Sequence, residues 1–584
     1  MIRALMMAAA AVLMTLPLDA KIVAFRDAAK IKSWDAWSDH KGKKEQEARK
    51  QRPCVTWEKL NKLDVGLKEI GRLVVRDAKD IKSSKWSIGC ETLDRDYADW
   101  NAYKSFLGPL GAKHGRLFSG WAKTEQEKGK YDFTWLDQQV REMAAMGIKP
   151  WICLSYGNPV WGSDFRLGMR VKQITDNAEG FDAWIRYCTA CVERYKDVVD
   201  EWEIWNEPMR QGEEYAEMFY RTAKAIRAVQ PSSKIYCTKM TFPDGYRTLL
   251  ERLKKENSLD LVSSFHYHPY DRNPDETYAK LAEPLRRLVK SYNGAFDIMQ
   301  GEVGCPSQLE YTHALSCLEW TEYSQAKWNL RRTIGDAVRA IPCSVFTIID
   351  LQYTHKLQSF GLLRSTALKE VVYRRPSYYA MQNVFSFLDD EALPVSVCTN
   401  ADFVITKRAD PRDDAERRLT CARFTRFGRP VRFYWFSDSL PSNRLEFDRV
   451  TIEISDTLLR PLWVDMITGR IFELDAANVR RVNGKTVLTD VPMWDSPVMI
   501  ADYEYVPRRY DWRGGEGSGG ESRSGGPQRI RRLDGGAAAE GDRPFPHGED
   551  RRKKKKIKKC LHRKTPCDII CPVFHPSRGR GAIG

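Results

Sequence analysis

From residue 86 onward the chain repeats one order: a short apolar run bounded by Gly, Pro or Asn, then an amphipathic stretch of helical period. The apolar runs cover 86–90, 115–121, 150–156, 198–205, 234–240, 261–266, 296–301 and 343–350. The helical stretches between them include 133–146, 180–195, 212–229, 278–292 and 323–340. Strands that alternate with helices pair in parallel, and eight of them close into a barrel. After a further helical stretch at 376–388 the period changes. Short alternating segments follow at 403–406, 419–424, 431–436, 450–454, 462–466, 485–491 and 498–501, with turn signals at Phe427-Gly428, Thr468-Gly469 and Asn483-Gly484. The expected fold is α/β: a (β/α)8 TIM barrel over 81–390 with an appended C-terminal antiparallel β-sandwich over 391–508. The sandwich reads as structural support, with carbohydrate binding as its alternative.

The two ends differ from this body. Met1-Ile2-Arg3, an apolar run from Ala4 to Leu16 and Pro17-Leu18-Asp19-Ala20 match a secretory signal peptide over 1–20. Export, to the periplasm or outside the cell, is the expectation. Residues 21–80 form a charged, lysine-rich lead-in with helical stretches such as 43–52 and no assignable chemistry. From 509 to 584 the chain is Gly/Ser-rich and then cationic, a composition that cannot bury enough apolar area to fold. The net charge of +16 is mostly a property of this tail, because residues 511–584 hold 18 Lys and Arg against 9 Asp and Glu. The charge therefore gives no reason to expect a specific nucleic-acid partner. No run outside the leader reaches the 18 or so apolar residues of a membrane span. The 14 cysteines are scattered; Cys153, Cys237 and Cys343 lie in strand-like runs, Cys188 and Cys191 in a helical one, and all five read as core. The 18 Trp and 24 Tyr suit flat apolar ligands such as sugar rings.

The candidate chemistry lies at strand ends. Glu201-Trp202-Glu203-Ile204-Trp205-Asn206-Glu207-Pro208 is a strand that breaks at Asn-Glu-Pro. Pro208 is expected to hold Glu207 extended at the barrel mouth. Phe296-Asp297-Ile298-Met299-Gln300-Gly301-Glu302 ends in a second glutamate, 95 positions after the first. Two carboxyls at the carboxyl ends of barrel strands suggest the acid and nucleophile of glycoside hydrolysis, with burial and mutual repulsion keeping the acid protonated. Glu203 is a weaker candidate, since no stop follows it. Asn158 and Trp161, after the third strand, are expected to bond and stack on a sugar, and Trp121 is a similar stacking candidate.

Trp205-Asn206-Glu207-Pro208, His266-Tyr267-His268-Pro269-Tyr270 and Gly301-Glu302-Val303-Gly304 resemble strands four, six and seven of the clan A retaining glycoside hydrolases, nearest in flavour to family 39 (β-xylosidases and α-L-iduronidases). The resemblance implies a carbohydrate substrate and no metal or other cofactor. It makes Glu207 the acid/base, Glu302 the nucleophile, Asn206 the partner of the sugar 2-hydroxyl and Arg116 the partner of the nucleophile. For the family's His-x-Tyr pair two registers stay open, His266 with His268 or His268 with Tyr270. The eighth strand, read to Asp350, lacks the tryptophan often found there. A barrel that binds carbohydrate without cleaving it is the alternative.

Overall fold

The computed structural model describes residues 55–164, 170–208, 210–354, 356–408 and 417–509. The expected leader, the helical stretch at 43–52 and the basic tail from 510 onward lie outside them. Eight parallel strands close the barrel: β2 (Trp86–Gly89), β3 (His114–Phe118), β4 (Lys149–Leu154), β5 (Glu201–Ile204), β6 (Lys234–Cys237), β7 (Ser264–Tyr267), β8 (Ile298–Val303) and β9 (Cys343–Val345), the last pairing back to β2. The register sets Gly89 opposite Arg116, Arg116 opposite Trp151 and Ile204 opposite Cys237, and shifts once, between Gln300 and Val303 where β8 meets β9. The strands are almost wholly buried, as a barrel covered by helices requires. That is why they read in the sequence as apolar runs rather than as alternation.

The covering helices follow from spacing and caps. Helix α1 (Ala178–Tyr195) starts at Asn177, whose side chain accepts from Gly180 N at 3.0 Å. It buries Phe181, Trp184, Tyr187, Cys188, Cys191, Val192 and Tyr195, a stripe of period three to four in which both cysteines are core. Helix α2 (Glu322–Ala337) opens on a capping box at Thr321 and Ser324 and is buried on all sides, including Lys327, Arg331 and Arg332. It lies between barrel and sandwich, and its cations join them. Lys327 Nζ bonds Asp495 Oδ1 at 2.6 Å and Arg444 O at 3.0 Å, and Arg331 bridges Asp275 at 2.6 Å and Ser439 O at 3.1 Å.

The sandwich has an eight-stranded and a four-stranded sheet. One strand of the larger sheet is β1 (Lys68–Leu73), from the expected lead-in; it pairs with Arg470–Glu473 and Arg508–Arg509. Only Leu73 of its six residues is fully buried, so no apolar run announced it. The eighth barrel strand also differs from expectation, ending at Val345 and not at residue 350. Asp350 instead takes a two-point bond from Arg375, at 2.6 and 2.8 Å. The aromatic at the true strand end is Phe346, edge-on to Phe360 with centroids 5.7 Å apart. Among the described residues no helix is long and apolar enough to cross a membrane.

Removing one partner of a buried ion pair leaves an uncompensated charge, at a cost of about 3–5 kcal/mol. Lys327→Ala, which strands Asp495, is expected to destabilise the fold by that amount in urea unfolding. The double variant Lys327→Met, Asp495→Leu should recover most of the loss. A loss below about 1 kcal/mol in the single variant would show that this ion pair does not fasten the two parts.

Candidate active site

Strand alternation places Glu201 and Glu203 of β5 on one face and Trp202 and Ile204 on the other. Glu201, at the strand's start, meets Lys234 at 2.9 Å and His114 at 3.4 Å. Glu203, deeper in, meets Arg116 of β3. The Arg116 guanidinium is completely buried and its donors radiate to four neighbours. Nε and Nη2 reach Glu203 Oε2 at 3.0 and 2.6 Å, Nη2 also reaches Asn206 Oδ1 at 2.9 Å, and Nη1 reaches Glu302 Oε2 at 2.6 Å and Glu91 Oε1 at 3.4 Å. Burial alone would raise the pKa of Glu203, but Arg116, with His266 bonded to its other oxygen at 2.9 Å, brings it down to about 2. Gly301 of β8 makes room for that histidine, since a Cβ there would stand 2.8 Å from His266 Nδ1.

Above this floor stand two carboxyls that are partly open, Glu207 with 22% of its side chain exposed and Glu302 with 12%. Glu302 is the next-to-last residue of β8 and takes a second bond from Tyr270 Oη at 2.8 Å on its Oε1. Glu207 follows β5 through a strained turn: Trp205 has φ +67° and Glu207 φ +49°, both left-handed. The extended geometry expected of a residue before proline is not what holds Glu207. Its backbone N–H donates to Thr238 Oγ1 at 3.3 Å, and its Oε1 meets His268 Nδ1 at 2.8 Å and Lys239 Nζ at 3.2 Å. Burial opposes its ionisation, yet His268 and Lys239 together bring its pKa down to about 2. The expectation of a resting protonated acid is therefore corrected. The cause is two nitrogen donors on one carboxylate oxygen.

The open register at β7 resolves by geometry, with His268 on Glu207 and Tyr270 on Glu302. His266 lies beneath them in the floor, fully buried against Trp151 and Tyr236. Asn206 sits between floor and mouth, accepting from Arg116 and donating Nδ2 to Tyr156 Oη at 2.9 Å. Asn158 and Trp161 are not brought to this centre. The Asn158 side chain caps its own loop, donating to Glu125 O at 2.7 Å and accepting from Val160 N at 3.1 Å. The Trp161 ring carries Lys128 Nζ at 4.1 Å and Arg186 at 5.6 Å. Trp121 is core, stacked on Tyr187. Sequence reading missed Glu91 and Lys239. Each follows a strand, β2 and β6, but neither stands beside a proline or glycine stop.

Glu207, His268 and Glu302 each place one polar atom within 4.8 Å of the others, the one such group of possible metal-binding atoms among the described residues. Lys239 Nζ already supplies a cation there, 3.2 Å from Glu207. One carboxylate oxygen of Glu207 and one of Glu302 thus lie within 4.8 Å of each other.

The floor ties stability to pH. The Glu203 carboxyl is held near 2, below its ordinary 4.5, so its contribution is complete above about 4.5 and is lost as pH falls through about 2. In thermal melts the stability gap between wild type and Glu203→Gln should narrow as pH falls across that window. A gap independent of pH would contradict the ion pair.

The family model Glyco_hydro_42, described as beta-galactosidase, matches residues 114–208, the segment that carries Arg116, Asn206 and Glu207. No curated protein matches the chain. Among solved structures, a family 39 glycoside hydrolase from the gut symbiont Bacteroides cellulosilyticus WH2 is similar, at 17% identity and TM-score 0.52, over 73% of this chain and 81% of that one. A monomeric beta-xylosidase from Caulobacter crescentus CB15 matches at 18% identity and TM-score 0.47, over 74% of this chain and 97% of that one. The family 30 subfamily 8 xylanase Xyn30A from Clostridium acetobutylicum matches at 13% identity and TM-score 0.45, with coverage of 74% and 97%. At these identities the likeness is one of fold. The chain is similar to the clan A glycoside hydrolases and has their TIM-barrel fold with a β-domain beside it, as its strand-end motifs led one to expect.

Proposed function

We propose that the protein is a retaining glycosidase that cleaves O-glycosidic bonds of an oligo- or polysaccharide by double displacement. The observation that carries this reading is the approach of one oxygen of Glu207, just after β5, to within 4.8 Å of one of Glu302, near the end of β8. An approach of the nearest oxygens to within 4.8 Å supports the close arrangement in which one carboxylate itself acts as nucleophile, over the wider one that leaves room for a water. Glu302 takes that part, with Arg116 and Tyr270 aiming its oxygens. Its attack forms the bond to the anomeric carbon while the bond to the leaving oxygen breaks and Glu207 gives that oxygen its proton. Water then attacks the same carbon, Glu207 takes the water's proton, and the ester to Glu302 breaks. Asn206, held from both sides, is placed for the sugar's 2-hydroxyl.

The low proton affinity of resting Glu207 adds a condition. The acid form has to arise in the complex, where substrate displaces water and draws Lys239 Nζ off the carboxylate. Removing Lys239 should raise the Glu207 pKa, so the acid form persists to higher pH. Lys239→Ala is therefore expected to move the alkaline limb of kcat/KM upward by about one pH unit or more. An unmoved limb would mean that Lys239 does not govern the acid.

Export, argued from residues 1–20, belongs to the same reading and is checked by N-terminal sequencing of the mature chain. The other reading, carbohydrate binding without cleavage, is separated by turnover of a panel of aryl glycosides. Wild type should cleave at least one, and Glu302→Ala should lose about 10³-fold or more of it, with azide restoring turnover as a glycosyl azide. No turnover across the panel favours the binding reading, and an active Glu302→Ala sinks the nucleophile assignment.

A further inference from the structure

Glu91 has no part in the double displacement, yet it is buried in the same charge cluster. It follows β2 with 2% exposure. Gly89 leaves space for its side chain, because a Cβ at that position would stand 2.2 Å from Glu91 Oε2. Arg116 is the cation it faces, and Arg116 is already engaged: two of its nitrogens bond Glu203 at 2.6 and 3.0 Å and Nη1 bonds Glu302 at 2.6 Å, whereas Glu91 lies 3.4 Å from Nη1. One guanidinium thus faces three carboxyls. A third buried carboxylate with only its own backbone N–H and a long bond from a shared cation is costly, and such a group sheds its charge instead. Thr347 points the same way. Its single hydroxyl proton has two acceptors in reach, Gly89 O at 2.7 Å and Glu91 Oε2 at 3.4 Å. Given to the nearer oxygen, it leaves a lone pair toward Glu91 that only a protonated carboxyl can use.

We propose that Glu91 is a positioning residue, a carboxyl kept protonated under the Glu207–Glu302 pair, which leaves Arg116 Nη1 to Glu302 and disturbs that contact when it ionises. The protonation stands on the cluster alone; the positioning role rests on the glycosidase reading. The other groups facing Glu91 carry no charge that would offset it. Burial pushes the Cys90 thiol and the Tyr103, Tyr270 and Tyr353 phenols well above their ordinary values. For Glu91 itself burial outweighs the attraction of Arg116, the nearby Glu302 charge adds to it, and the pKa rises to about 8.

The test is Glu91→Gln, which keeps shape and donor but cannot ionise. Between about 4.5 and about 8 the folded wild type holds a proton that the unfolded chain has released, so the stability this gives is full below that window and lost across it. The melting temperature of Glu91→Gln relative to wild type should therefore rise with pH through the window. A constant difference, or one moving in favour of wild type, means that Glu91 is ionised and overturns the proposal. Infrared pH titration of wild type against Glu91→Gln, a difference that cancels other buried acids such as Asp336, Asp350 and Asp465, should show a carboxylic-acid carbonyl band at neutral pH that is lost across about pH 8. Absence of such a band also overturns it. For the positioning role, the ratio of kcat/KM for Glu91→Gln to that of wild type should climb about threefold or more from pH ~7 to pH ~9, any limb common to both enzymes cancelling. A flat ratio beside the expected melts removes the positioning half. If no glycoside is turned over, the glycosidase reading fails while the melts and the infrared band still decide the protonation.

Discussion

The site depends on one buried cation. Arg116 stands on β3 with no access to water, and its planar fork reaches carboxyl groups on β5 and β8, the carboxyl after β2, and the amide of Asn206. A desolvated guanidinium would be expensive in an apolar barrel, so its presence forces acidic residues to surround it. That requirement places Glu203 in the floor, fixes one oxygen of Glu302 and orients Asn206 before any substrate arrives. The other oxygen of Glu302 is set by Tyr270, so the carboxyl is held from two strands. Preorganisation of this kind is what a positioned nucleophile needs.

The two upper carboxyls differ in how their positive partners are shared. Glu302 shares its cation with two other acidic groups, whereas Glu207 alone has the donors of both His268 and Lys239. The structure therefore separates the pair by environment, as acid–base chemistry demands, but in the resting state it favours the ionised form of Glu207. On the proposed mechanism, the acid form of Glu207 arises only once substrate binds. The strained backbone on either side of Asn206, with Trp205 and Glu207 both at positive φ, fits a segment shaped for its ligand at some expense of local stability.

The barrel was legible because its strands are buried on both faces and its helices carry regular stripes; periodicity reports exactly that kind of burial. Strand β1 was not, since Lys68–Leu73 is too exposed to leave an apolar signature and owes its place to pairing with strands 400 or so positions away. Glu207, Glu302 and Asn206 were legible as candidates through strand-end motifs, and Arg116 through the family resemblance. The choice of Tyr270 over His268 as the partner of Glu302 was not, because Pro269 interrupts the alternation that would have assigned faces. Asn158 and Trp161 misled for a common reason. An amide or indole after a strand has the chemistry to meet a sugar, but the same groups cap loops and hold lysines, and only three-dimensional neighbours decide between them. Glu91 left no trace in the pattern, for its significance lies in how many carboxyls share one arginine.

The central claim is that Glu302 becomes covalently bonded to the sugar. The most direct measurement is peptide-mapping mass spectrometry of the protein after exposure to the 2-deoxy-2-fluoro analogue of a glycoside it turns over, a reagent that slows release of the glycosyl-enzyme. The account predicts one sugar per chain, carried by the peptide that contains Glu302. Turnover of the parent glycoside with no adduct, or with the sugar on any other residue, would contradict it.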